Sequence, residues 1–442
     1  MELPVEYKNR MKQMLGDEYE EFIKSYDEAP VKGIRWNPLK CSLGTLKKSL
    51  PFSIEDTKFS PYIFKPEAYD RPGNLPAHHS GMFYMQEPSA SSAVTVLAPE
   101  PGDKVLDLCA APGGKATQIA AALKGSGLIW ANEIVRERAN ILLSNTERMG
   151  IQNAVITAMH PDNLCGALQG FFDKVLVDAP CSGEGMFKKE PQAITAWSES
   201  SVKACAVRQL SILNSAAAAV KNQGILVYST CTFSMEENEG VVLAFLREHP
   251  EFELIEAEAG FGRKAFDMPA LRIFPMDGGE GHFAAKLRRI SDAPKPKRQE
   301  LCIKKRTSFE MTAQSMYKEL FRDSLENQIM EAGGHIYILP KEMPDISGIP
   351  VIRAGVLFGG INGKRIQPSH HLFVSRSFWD IENTIDFSHE NKELYKFMHG
   401  EEIDCDTKGY TAVSVNNVVL GFGKASGGRL KNHYPKGLRI LK

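Results

Sequence analysis

Apolar residues recur along this chain with two periods, and the change between them divides it. Over residues 5–26, Tyr7, Met11, Met14, Leu15, Phe22 and Ile23 fall on one side of a 3.6-residue turn, so the stretch is predicted helical. GIRWNPLK (33–40) reads as a strand that ends at Pro38. From about residue 101, short apolar runs alternate with helical patterns, which implies a parallel sheet with crossover helices. The strand candidates are KVLDL (104–108), GLIWANE (127–133), NAVITAM (153–159), DKVLVDAP (173–180) and GILVYST (224–230), with helices such as 114–123 and 201–220 between them. Ser234-Met-Glu-Glu237 after the last strand is a Ser-x-x-Glu capping box, expected to open the next helix. Past GEGHFAAKLRRI (279–290), residues 291–308 hold two prolines and six Lys/Arg against two acids and read as a basic linker. Residues 309–442 form a mixed α+β region with short strands such as GHIYIL, HLFVS and VVLGFG. The organisation is therefore 1–90, an α+β domain; 91–290, a Rossmann-like α/β domain; 291–308, a linker; and 309–442, a second α+β region.

Composition narrows this picture only a little. A 43% hydrophobic and 24% charged content is that of a globular protein, and a formal charge of -1 gives no global field to attract nucleic acid, so any such surface is local. The first residues, MELPVEYKNR, lack a basic-then-apolar leader, and no apolar run approaches the length of a membrane span. The eight cysteines, at 41, 109, 165, 181, 205, 231, 302 and 405, contain no CxxC pair. They are expected to be reduced thiols of a cytoplasmic protein, with no metal. Charge is uneven at the end of the chain. Residues 380–406 hold nine acids against two lysines, whereas 424–442 carry Lys424, Arg429, Lys431, Lys436, Arg439 and Lys442 with no acid, and Tyr434 is placed to stack on a base. A neutral chain can therefore still present a basic face to RNA, with a charged, solvated tail as the alternative.

The first candidate chemistry lies where VLDL runs into Cys109-Ala-Ala-Pro-Gly-Gly-Lys115 and then a helix. Ligands of open parallel sheets bind at the carboxyl ends of strands, where small residues let backbone approach them. The loop is neither a GxGxxG fingerprint nor a phosphate-binding GxxxxGK[ST], because Leu108 stands where the first glycine belongs. Glu133 ends the second strand, 19 residues beyond Gly114, placed to accept from a ribose hydroxyl. A short glycine turn plus that acid suits a mononucleoside-like cofactor, of which S-adenosylmethionine is the common one. Two later strand ends each carry a cysteine: Asp178-Ala-Pro-Cys181-Ser-Gly-Glu-Gly and Ser229-Thr-Cys231-Thr. One such cysteine is usually a buried structural residue; two, with an aspartate beside one, point to chemistry. Carbon 5 of cytosine is a poor nucleophile. A thiolate added to carbon 6 makes it an enamine, a carboxyl near N3 shares a proton with the adduct, and a further residue helps remove the C5 proton. Asp178, Cys181 and Cys231 suit these roles, and spacing does not say which cysteine attacks.

CAAPGGK, DAPCSGEGMF and YSTCTFSMEENE resemble the Nop/Sun family of RNA cytosine-5 methyltransferases, over roughly residues 30–290, and QEPSA (86–90) and RQLSIL (208–213) are similar to it too. The resemblance implies that Cys231 is the nucleophile, that Cys181 assists release, and that 109–115 (Cys109, Ala110, Ala111, Pro112, Gly113, Gly114, Lys115), Glu133, Arg138, an acid matching Asp162, and Asp178 hold the cofactor. The GEGHF segment and the NHYPKGLRILK tail look like the bacterial branch that methylates small-subunit (16S) ribosomal RNA, which implies an RNA-binding-like N-terminal domain, a PUA-like C-terminal region, and ribosomal RNA or the small subunit as partner. The alternatives are a methyltransferase on another atom or on tRNA, and an RNA-binding assembly factor with weak catalysis. Other residues carry plainer readings. His78-His79 and His370-His371 do not project together as metal ligands do, and His282 reads as structural. Arg35 and Asn37 suit an exposed strand or a phosphate contact, and Gln86 and Glu87 a helix start or support for the cysteine loop.

Overall fold

The computed structural model describes residues 2–296, 298, 300–301 and 307–440. Five parallel strands form its centre: β1 (Lys104–Asp107), β2 (Leu128–Asn132), β3 (Ala154–Thr157), β4 (Phe172–Asp178) and β5 (Val220–Thr230). They pair in the order 3-2-1-4-5. The antiparallel strands β6 (Met268–Ile273) and β7 (His282–Arg289) extend the sheet beyond β5. Helices α1 (Gly114–Leu123), α2 (Arg136–Arg148), α3 (Pro161–Ala167), α4 (Glu199–Ala217) and α5 (Glu239–Glu248) make the crossovers. Covered by helices on both sides, the parallel strands are apolar almost throughout, and Val105, Leu106, Trp130, Val155, Leu176 and Val227 are fully buried. Strand order reverses between β1 and β4, so a crevice opens at their carboxyl ends.

Two smaller α+β units flank this sheet. An N-terminal antiparallel sheet joins 54–56, 63–66, 34–36 and 83–85, and two C-terminal sheets are built from 329–368 and 384–432. The two ends of the chain meet: Ile34, Leu46, Phe64 and Phe83 share one core with Leu394, Phe397, Val413 and Val415. Val351–Ala354 pairs antiparallel with β3, so the C-terminal region also lends the central sheet an edge strand. The first 26 residues pack elsewhere, with Tyr7, Met11, Leu15 and Phe22 in a core with Phe187, Trp197, Phe233 and Phe274, behind the two cysteine loops.

Three expectations need correction. The helix over 5–26 is broken: it runs Val5–Leu15, stops at Gly16, whose φ of 55° leaves the right-handed region, and resumes at Tyr19–Lys24. HLFVS is not a strand. His370–Val374 is a helix, opened by the Ser369 hydroxyl, which accepts the Leu372 N–H at 3.1 Å. His371, Leu372, Phe373 and Val374 are all buried, so the run has no period to separate a buried helix from a strand. The basic tail is not loose. Its described part forms the strand Arg429–Asn432, Leu430 is in the core, and Tyr434 is buried with its hydroxyl 2.7 Å from His79 Nδ1, so it presents no face to a base. Lys424, Lys431 and Lys436 remain exposed, and Lys442 lies outside the described residues. Positions 297, 299 and 302–306 of the basic linker lie outside them also, while Arg298 donates to the carbonyls of Ala167, Asp345 and Ser347 at 2.7–3.0 Å. Among the described residues no helix is long and apolar enough to cross a membrane.

Candidate active site

One side of the crevice is a tight backbone turn. Gly113, at φ 115°, precedes α1, and a Cβ there would press on Leu142 at 3.3 Å, so only glycine fits. The turn is braced from outside: Arg138 donates to the Ala111 carbonyl at 3.1 Å and Asn145 to that of Pro112 at 2.9 Å. Arg35 corrects its reading as an exposed or phosphate-binding residue. It is 1% exposed, lies over the Tyr84 ring, and donates to Gln86, to Thr117 and to the Gly114 carbonyl. Asn37 is buried as well, donating to the carbonyls of Gly81 and Met149. Gln86 therefore supports the turn through Arg35, and Glu87 caps the short helix at 88–91.

Beyond the turn lies a cavity of about 750 Å³ whose lining includes Cys109, Ala111, Glu133, Arg138, Asp178, Cys181 and Cys231. That size is within the roughly 300–1,000 Å³ of small-molecule sites. Glu133, 3% exposed, closes one end, with Val135 N–H and Arg138 each 3.1 Å from one of its oxygens. Ala110, Pro112, Gly113, Gly114 and Lys115 form the turn behind the lining residues. Asp162 stands apart. His160 and Pro161 line the cavity, but the Asp162 side chain is 64% exposed and accepts from the Ser215 hydroxyl. Asp107, which the sequence did not single out, is fully buried beneath the turn, and neither carboxyl oxygen has a hydrogen-bond partner. Burial first, and the Asp178 charge second, push its pKa up to about 8. Burial likewise pushes the Cys109 thiol well up.

On the other side, Asp178 accepts from the Ser229 hydroxyl at 2.7 Å and pairs with Lys115 at 2.7 Å. Burial opposes the Lys115 charge, but this contact outweighs it and keeps the ammonium pKa above its ordinary value. The Sγ atoms of Cys181 and Cys231 are 3.2 Å apart. The Cys231 contact, then burial, hold the Cys181 thiol well above its usual pKa.

The capping box does not form, and the reason lies here. α5 begins at Glu239 after Asn238, with no side-chain cap. Ser234 instead donates to Glu184 Oε1 at 2.8 Å, where Trp197 Nε1 also donates at 2.9 Å; Glu184 Oε2 accepts from Thr232 Oγ1 and Phe233 N–H, both at 2.8 Å. Glu237 reaches the opposite way, its Oε2 accepting Ser182 N–H at 3.0 Å and Gln209 Nε2 at 2.7 Å. Each cysteine loop thus supplies a buried carboxylate that grips the other loop. Gly185 completes the contact, since a Cβ on it would lie 2.9 Å from the Cys231 carbonyl. Sequence reasoning missed both roles; the one visible signal was an acid between two glycines, Gly183-Glu-Gly185. His282, expected to be structural, is buried with Nδ1 3.0 Å from the Ser89 hydroxyl. Among the described residues no group of His, Cys, Asp and Glu is arranged to hold a metal ion.

A 3-2-1-4-5 sheet with a glycine turn after β1, a buried acid after β2 and a cavity between them defines a Rossmann-like, S-adenosylmethionine-dependent methyltransferase. Glu133, a buried carboxylate, and Cys109 and Ala111 of the 109–115 turn face that cavity, a lining that fits such a cofactor. The chain belongs to the 16S rRNA methyltransferase RsmB/F family, whose pattern matches residues 94–288. Residues 3–88 match the N-terminal domain of 16S rRNA methyltransferase RsmF, 315–375 its first C-terminal domain, and 383–440 its PUA domain. Ribosomal RNA small subunit methyltransferase F of Aliivibrio fischeri (strain MJ11) is 31% identical, over 95% of this chain and 93% of that one. The protein of the same name from Erwinia tasmaniensis is 30% identical, over 98% and 96%. A methyltransferase homolog from Pyrococcus horikoshii superposes with a TM-score of 0.56 at 29% identity, over 64% of this chain and 94% of that one. NSun6 from Pyrococcus horikoshii with SFG gives 0.59 at 23% identity, over 65% and 99%, a likeness of fold.

Proposed function

We propose that this methyltransferase modifies carbon 5 of a cytosine in small-subunit (16S) ribosomal RNA through a covalent thiol adduct. The observation that carries the reading is the 3.2 Å approach of the Cys181 and Cys231 sulfurs at the edge of the cofactor cavity, beside Asp178. A methyltransferase acting on an exocyclic amine has no use for two opposed thiols. The RNA part rests on the relatives' names and on the flanking α+β units 1–90 and 309–442, the second of which exposes Lys424, Lys431 and Lys436.

In this reading the cofactor, held by the 109–115 turn, Glu133 and Arg138, supplies an electrophilic methyl group. Cys231 adds to carbon 6, which turns carbon 5 into a nucleophile. Asp178, fixed by Ser229 and Lys115, shares a proton with N3 of the ring and so stabilises the adduct. Once the adduct has consumed the Cys231 thiolate, Cys181 gives its own proton to solvent and, as a thiolate, takes the C5 proton, so that the C6–S bond breaks and Cys231 leaves as a thiolate. Denaturing electrophoresis with 16S RNA tests the roles. Cys231→Ala forms no RNA-linked band and loses turnover by roughly a thousandfold or more. Cys181→Ala accumulates an RNA-linked band only when S-adenosylmethionine is present. Trapping in Cys231→Ala instead exchanges the roles, and activity in both variants without trapping removes covalent catalysis and leaves an RNA-binding methyltransferase fold of another target.

A further inference from the structure

Cys181 and Cys231 are both free, partly exposed thiols, and their sulfurs lie 3.2 Å apart. A disulfide holds its sulfurs about 2.05 Å apart, so this pair has to close by little more than ~1 Å to make one. The approach is built into the two loops. Glu184 accepts from Thr232 and from the Phe233 N–H, Glu237 accepts the Ser182 N–H, and the Gly185 N–H donates to the Cys231 carbonyl at 2.9 Å. These contacts sit within a few residues of each cysteine on both loops, so the thiols are kept at one spacing. Both residues line the cavity of about 750 Å³, which has room for molecules far larger than a peroxide. Other thiols are placed differently. Cys165 and Cys405 are buried in apolar cores. Cys109 shares the cavity, but burial pushes its pKa well up, so little of it is the thiolate that oxidants attack.

We infer that the Cys181–Cys231 pair is an oxidation site, at which a hydroperoxide joins the two sulfurs in a disulfide and stops methylation until a thiol reductant reopens it. Formation of the bond needs only the observed geometry. The loss of methylation rests on the covalent reading above, in which both sulfurs are required. In the first step the Cys231 thiolate attacks one peroxide oxygen, the O–O bond breaks, and hydroxide leaves and takes up a proton from solvent. The Cys181 sulfur then attacks the sulfur of the Cys231 sulfenic acid. The S–S bond forms, the S–O bond breaks, and the oxygen leaves as water with the Cys181 proton. Together the two thiols give up two electrons and two protons, and one hydrogen peroxide becomes two waters. Cys181 also decides how far oxidation runs. A sulfenic acid with no thiol at hand goes on to sulfinic acid, which thiol reductants do not reverse. The second sulfur keeps the change reversible.

The test treats the full chain with hydrogen peroxide, without RNA or cofactor, and maps its cysteines by mass spectrometry before and after dithiothreitol. The wild type becomes lighter by two hydrogen atoms, with the Cys181 and Cys231 peptides joined. Its turnover on 16S RNA falls by about tenfold or more, and dithiothreitol restores both the mass and the turnover. Cys181→Ala, shown by thermal melting to be folded, instead gains oxygen at Cys231 that dithiothreitol does not remove, a readout that needs no activity. Sulfinic acid at Cys231 of the wild type without joined peptides overturns the proposal, as does a bond to Cys109 in place of Cys181, or a turnover that reduction does not restore. The two readings fail separately. If no bond forms while Cys231→Ala and Cys181→Ala behave as the covalent scheme requires, the oxidation site is wrong and the covalent reading stands. If the bond forms and turnover is unchanged, the switch is overturned and the covalent reading falls with it.

Discussion

The two sides of the crevice are held in different ways. On the cofactor side the shape is local: six residues of backbone turn between β1 and α1, fixed by the positive φ of Gly113 and by donors to its carbonyls. On the cysteine side it is non-local, because Cys181 and Cys231 lie 50 residues apart and are registered by side chains, the Glu184 and Glu237 carboxylates. The difference matters for what each side must do. A cofactor site needs room and a few donors, and this one leaves the buried Asp107 carboxyl without a side-chain hydrogen-bond partner. In the proposed covalent chemistry two thiols act on one carbon–carbon bond and need a fixed spacing, which buried charged hydrogen bonds would supply.

Removing one grip tests the non-local side most severely. Glu184→Ala strands four buried donors, including the Trp197 and Phe233 N–H groups, and is expected to cost about 3–4 kcal/mol of stability. Denaturant unfolding measures it; a cost below about 1 kcal/mol would show that the loops are registered by packing alone. On the cofactor side the expected effect is pH-dependent. The pKa of Asp107 stands near 8 in the folded chain against an ordinary 3.8, so the native state binds more protons between those values. Stability of the cofactor-free protein is therefore highest below pH ~4 as far as this group is concerned, and falls by roughly 1 kcal/mol per pH unit toward pH ~8. Asp107→Asn is expected to flatten that fall in melts across the range, and an unchanged slope would place the ionisation elsewhere.

Glu133→Ala is expected to weaken S-adenosylmethionine by about 1.5–2 kcal/mol, some ten- to thirtyfold, in calorimetric titration, with the RNA-linked chemistry of the cysteines otherwise intact. Gly113→Val weakens it further, because the side chain forces the turn itself to move. Wild-type affinity in both would divorce the cavity from the cofactor. The smallest effect is on RNA. The basic tail cannot be deleted cleanly, since Leu430 and Tyr434 belong to the core shared by both ends of the chain. Replacing exposed Lys424, Lys431 and Lys436 by Gln is expected to reduce the slope of log affinity against log salt by about two, at roughly 0.7–0.9 for each phosphate no longer neutralised. An unchanged slope would make the cluster a solvated face.

How legible each region was follows the same division. The parallel strands and the 114–123 helix stood out because a buried strand and its crossover have strong periods, and the glycine turn because its constraint is carried by consecutive residues. The capping box misled for the opposite reason. Ser234 and Glu237 satisfy a local rule, but Glu184 and Ser182, 50 and 55 residues away, offer buried partners that a helix end in solvent does not match. Arg35 likewise looks like any strand arginine until Gly114 and Thr117 close over it. HLFVS has too short an apolar run for its period to speak, and Tyr434 became a core residue only when the last strand met His79. By itself the sequence determined the Rossmann-like class and the glycine turn after β1, since these depend on contiguous pattern. Tertiary structure decided the spacing of the two sulfurs, the open oxygens of Asp107 and Glu237, and which charged groups are buried. Those follow from desolvation and from partners distant in the chain, and no local period records them.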